Sequence, residues 1–234
     1  MNKVDVFFNE SPWTWKELFQ LLFIVLVLVP FFVEYHLKNY MTILFKNELY
    51  SGTLTGFIMS IIFMISLYLV ALKPKGLRWN EVGIRRFPVR YYGPIAGWTI
   101  VVIVVSIGLF VLLDLLVGIG TENAKTESLK NQLTTLNFTI GFISAALISP
   151  IYEEIFYRGF LYRFLRGKYG VTVSIFISSF IFMVVHIPTY NTLPVNFVTG
   201  VVFAWTYERS GSVIPGIIIH GIFNGIAIIL TALG

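Results

Sequence analysis

Seven long runs of aliphatic and aromatic residues, divided by short charged stretches, decide most of what this chain can fold into. They lie near 18–36, 53–72, 92–118, 138–166, 171–187, 193–208 and 213–231. A helix that crosses a bilayer needs about 20 apolar residues. Backbone N–H and C=O groups find no partner in lipid, so such runs are predicted to be helices that satisfy their own hydrogen bonds. The charge content agrees: 12% of residues are charged, against about 25% in soluble domains. The expected fold is an all-α, polytopic transmembrane bundle of about seven to eight helices, a single integral membrane domain over 1–234. The sixth run is short and holds Pro194, Asn196 and Gly200.

The loops suggest an orientation. Residues 73–90 carry six basic residues and one acid, and 158–170 carry Arg158, Arg163, Arg166 and Lys168 with no acid. The loops around 37–50 and 119–137 are balanced. The positive-inside rule places both basic loops, and by parity the N-terminus, on the cytoplasmic side of a multi-pass cell-membrane protein. Lys3, Asp5, Glu10, Lys16 and Glu17 interrupt the first residues and no small-residue cleavage site follows, so the first run reads as retained rather than as a cleaved signal. Trp13 and Trp15 read as an interfacial anchor.

Charges inside these runs need a reason, because each costs roughly 2.5–3.5 kcal/mol at the bilayer centre. In "ISPIYEEIFYRGFLYR", residues 148–163, Glu154 and Arg158 stand at i and i+4 and can pair along the helix. At about 100° per residue, Glu153 points well away from both. If the fourth and fifth runs form an antiparallel hairpin turning near 167–170, His186 lies level with Glu153. His220 and Asn224 share one face of the last run. Asp114 reads as interfacial or paired, and His36 as an ordinary residue at the end of the first run.

A Glu, two His and an Asn in one cavity can activate water, with Glu153 as base, His186 sharing the proton, and His220 with Asn224 donating to an oxyanion. That is a hydrolase set for an amide or ester. There is no cysteine, no H-E-x-x-H zinc motif, and the only aspartates are Asp5 and Asp114, which excludes thiol, zincin and aspartyl designs. The Gly-Ser at 211–212 lies in a predicted loop without a neighbouring base. Glu153, His186 and His220 could instead supply three ligands to a divalent metal such as zinc. Metal-dependent and metal-free chemistry both stay open, the reading leaning to no cofactor.

Three stretches carry a resemblance. "EEIFYR" (153–158), "FMVVH" (182–186) and "HGIFN" (220–224) resemble, in order and spacing, the E-E-x-x-x-R, F-x-x-x-H and H-x-x-x-N motifs of the CPBP family. These are the CAAX prenyl endopeptidases and bacteriocin-processing proteins, also called Abi. The resemblance implies intramembrane proteolysis of a lipidated or membrane-associated peptide at the cytoplasmic side of the lipid bilayer. It makes Glu153 and His186 the water-activating pair and His220 with Asn224 the oxyanion side, and it lends weight to Glu154, Arg158 and Phe182. Processing of, or immunity linked to, bacteriocin or signalling peptides is the expected setting. No nucleic acid is expected as a partner, and the sequence is silent on oligomeric state. A non-catalytic scaffold that binds a peptide or sensor protein, and a small proton-coupled transporter, are the competing readings.

Overall fold

The computed structural model describes residues 7–118, 120, 122–131 and 133–233. Among them there is no strand, and the architecture is an all-α bundle. The helices are α1 (Trp15–Phe45), α2 (Glu48–Lys75), α3 (Val89–Val117), α4 (Ala124–Asn131), α5 (Thr135–Val184), α6 (Leu193–Ser210) and α7 (Ile214–Leu233). Five of them, α1, α2, α3, α5 and α7, are long and apolar enough to cross a membrane. What was expected of residues 1–6 lies outside the described residues.

α1 shows how this bundle meets lipid. Leu18, Leu21, Val25, Val29 and Val33 are buried at helical spacing, while Phe19, Phe23, Phe31 and Phe32 are more than half exposed. One stripe packs on the protein and the opposite face suits acyl chains. Thr14 starts the helix with a capping box: its backbone N–H donates to Glu17 at 2.7 Å, and its hydroxyl accepts from the Lys16 N–H at 3.3 Å. The helix then runs to Phe45, nine residues past its expected end. His36 therefore sits inside it, exposed, with its ring against Phe31 and Tyr35. Around Pro30 the hydrogen bonding widens to the i→i+5 pattern over Ile24–Leu37. The same widening, over Ser144–Ile148, precedes Pro150; a proline gives no N–H and crowds the carbonyl four residues back.

The fourth and fifth runs are the two arms of α5, folded into a hairpin. Gly170 breaks α5 with φ 75°, ψ −177°, a backbone that only glycine adopts without strain. The arms 135–169 and 171–184 then run antiparallel. Tyr157 and Phe182, equidistant from the bend, meet with ring centroids 5.2 Å apart, so the register expected from the sequence is the register observed. The return arm ends at Val184, and His186 lies in the turn beyond it, not within the helix. Pro188 supplies the reason, since the residue before a proline avoids the helical region.

Two other expectations need correcting. Trp13 is not a headgroup anchor: it is 2% exposed and its indole N–H donates to the Ala71 carbonyl at 2.9 Å. Only Trp15, 41% exposed, fits that role. The basic stretch 73–90 is more than a charged loop set by topology. Val82 and Gly83 are buried, the Val213 N–H donates to the Gly83 carbonyl at 3.0 Å, and the Ser212 hydroxyl donates to the Arg85 carbonyl at 2.7 Å. This stretch closes one end of the bundle.

Candidate active site

Every residue from Glu154 to Leu165 is buried, so this part of α5 is the axis around which the other helices pack. Its hydrogen bonding is of the wide i→i+5 type over Glu154–Tyr162, a form that gathers at functional sites. The Glu154–Arg158 pair expected from spacing is present at 2.8 Å, both side chains about 1% exposed. A second guanidinium nitrogen donates to the Gly200 carbonyl on α6 at 3.2 Å. The charge also lies 4.2 Å from the centre of the Phe182 ring and 5.2 Å from that of Phe203, contacts worth on the order of 1–2 kcal/mol each when desolvated.

α7 brings the next group. His220 Nδ1 is 3.1 Å from Glu154 Oε1, and Nε2 is 3.9 Å from Glu153 Oε2. Because Glu154 Oε1 already accepts from Arg158, it can only accept from the imidazole as well, so Nδ1 carries the proton. In the neutral ring Nε2 then presents its lone pair toward Glu153. His186 is fixed in the same way: its Nδ1 is 2.7 Å from the Phe182 carbonyl, an acceptor, so Nδ1 is again the protonated nitrogen. Phe182 packs its ring on His186 at 4.8 Å, as expected of it. Asn224 donates to the Ala145 carbonyl at 3.0 Å and ties α7 to the first arm of α5.

The candidate residues thus fall into one region. His220 is brought within 3.9 Å of Glu153 by the approach of α7 to α5, which no spacing within either segment reveals. Glu154, expected only to neutralise Arg158, also orients His220. Among the described residues no group of three or more His, Asp or Glu is placed to hold a metal ion.

Two features went unnoticed in the sequence. Phe203, outside the three motifs, stacks on the His220 ring. Gly216, one turn before His220, leaves room for Glu154: a Cβ there would stand 3.3 Å from Glu154 Oε2. That oxygen and Arg158 Nε are buried with no hydrogen-bond partner among the described residues, an expensive condition for charged groups.

Residues 134–226 match the Rce1-like family of type II CAAX prenyl endopeptidases. All three motifs fall inside that stretch. The motif-bearing segment is thus similar to that family. Over 113 residues the chain is 28% identical to a Bacillus subtilis (strain 168) protein named "Putative membrane peptidase YdiL", covering 48% of this chain and 45% of that protein. The chain therefore spans less than half the length of the curated relative it matches. No solved structure gives a significant match. The matched segment contains α5, α6 and most of α7, and it holds the whole constellation just described.

Proposed function

We propose that this chain is a membrane endopeptidase of the CAAX type, cleaving a lipidated or membrane-associated peptide near the cytoplasmic face. One observation carries the reading: His220 stands between two glutamates, with Nδ1 3.1 Å from Glu154 and Nε2 3.9 Å from Glu153. Buried charge without a reactive purpose is disfavoured in a bilayer, and a carboxylate base beside a donor held by a second carboxylate equips the site for general-base catalysis with oxyanion support.

In the proposed reaction, water lies against Glu153. Its oxygen bonds to the peptide carbonyl carbon while its proton passes to Glu153, shared with His186 Nε2. The carbonyl electron pair moves onto oxygen, where the Asn224 amide donates. His220 Nε2 can donate there only when the ring carries both protons, and Glu154 sustains that charge. Collapse restores the carbonyl, breaks the C–N bond and sends the proton from Glu153 to the leaving nitrogen. The reading uses no cofactor. The substrate class extends the CAAX label of the family, and the cytoplasmic side follows from the basic end of α2 and the basic bend of α5.

The test compares peptides released from membranes of cells that express wild type or Glu153→Gln at matched levels, by mass spectrometry. Removing a general base typically costs about 10²–10⁴ in rate, so products that depend on Glu153 should fall by about 100-fold or more. Identical peptide sets, with the cellular phenotype intact in the variant, would replace this reading by that of a peptide-binding scaffold.

A further inference from the structure

Phe203 lies on α6, in the stretch between the second and third motifs, and belongs to neither. Its ring centroid is 4.7 Å from that of His220, with the two planes only 20° apart. Phe182 meets the same imidazole edge-on, at 6.0 Å and 89°. Phe203 is 1% exposed.

We propose that Phe203 is a positioning residue, which together with Glu154 holds His220 in one tautomer and one ring orientation. The hydrogen bond from Nδ1 to Glu154 fixes a single point of the imidazole. Rotation of the ring about that point would still swing Nε2 away from Glu153. A flat aromatic face in contact with the whole ring removes that rotation, which an aliphatic side chain of similar volume cannot do.

The seat of this ring is itself defined by close helix approaches. Three residues before Phe203, Gly200 lets α6 press on α5: a Cβ there would stand 3.0 Å from that of Ser179. The Gly200 carbonyl is also the one that takes Arg158. Gly216 allows α7 equally close to Glu154. Three helices thus set the spacing between stacking face, imidazole and carboxylate. The catalytic consequence rests on the peptidase reading; the tautomer does not.

The experiment is nitrogen and proton NMR of histidine-labelled protein in lipid bilayers, recorded where the ring is neutral. In wild type, His220 should show the Nδ1–H tautomer alone, with ring protons shifted upfield by Phe203. Phe203→Leu keeps most of the apolar volume. It should give mixed tautomers at His220 and leave His186, held by the Phe182 carbonyl, unchanged. On a peptide whose release depends on Glu153, kcat should fall about 10-fold, the usual effect of losing an orienting partner, with KM kept within about twofold. A single Nδ1–H tautomer retained at His220 in folded Phe203→Leu would overturn the proposal. So would a wild-type His220 in the Nε2–H tautomer, a result that requires no variant. If the NMR changes occur as stated while no peptide release depends on Glu153, the positioning role stands and the peptidase reading falls.

Discussion

Arg158 and Arg163 stand five residues apart on α5, each faces a glutamate at 2.8 Å, and each is nearly inaccessible to solvent. Around Arg163 the ions satisfy one another, although the nearby Tyr207 hydroxyl is buried with no hydrogen-bond partner among the described residues. It donates to both the side chain and the carbonyl of Glu81 and to the Phe7 carbonyl, and its guanidinium lies 3.7 Å from the centre of the Phe7 ring, which Arg85 approaches to 3.6 Å. Nearby, Glu208 takes Tyr162 at 2.8 Å and Arg166 at 3.1 Å. These contacts join the first residues, the 73–90 stretch, α5 and α6. Around Arg158 the charges are as close, yet atoms of both ions lack partners, and two histidines with their lone pairs directed by their neighbours complete the group. Charge alone therefore does not mark the site. A latch is satisfied and spans distant segments, whereas the reactive cluster is incompletely satisfied and holds titratable groups in fixed orientations.

That contrast can be broken by substitution. Arg158→Met should be the most severe: it leaves Glu154 buried without its cation and should cost about 3–5 kcal/mol, measured by thermal unfolding in detergent, with peptide release lost too. Gly159→Ala probes the boundary between the two clusters. A Cβ there would stand 2.2 Å from the Val82 carbonyl oxygen, and since both sides are backbone, displacing the 73–90 stretch should cost about 1–3 kcal/mol while Glu153-dependent cleavage persists at reduced rate. Glu81→Gln should matter least. Its side chain is 25% exposed and Arg163 keeps two carbonyl acceptors, so a loss of about 1 kcal/mol or less with unchanged turnover is expected. A turnover loss in Glu81→Gln equal to that in Arg158→Met would erase the distinction between latch and site.

Much of this architecture was legible in the sequence, because it depends on short-range rules. Apolar runs of spanning length give the helices, the i, i+4 spacing gives Glu154–Arg158, and a glycine-centred turn gives the hairpin register that pairs Tyr157 with Phe182. The order of the three motifs brought to attention residues that the fold gathers into one region. Legibility ended where the local signal was itself overlooked, as with the Thr14–Glu17 box, or where a proline ended a helix early, as at His186.

The remainder was decided by tertiary structure alone. His220 meets Glu154 across 66 positions, Arg158 meets Gly200 across 42, and Arg163 meets Glu81 across 82. No periodicity within a helix encodes which faces of separate helices will touch, or how closely. Here that was set by glycines at 159, 200 and 216, whose missing side chains let backbone and carboxylate approach. The sequence determined that charge would be buried in this bundle; the packing of α6 and α7 on α5 determined which charge orients a histidine.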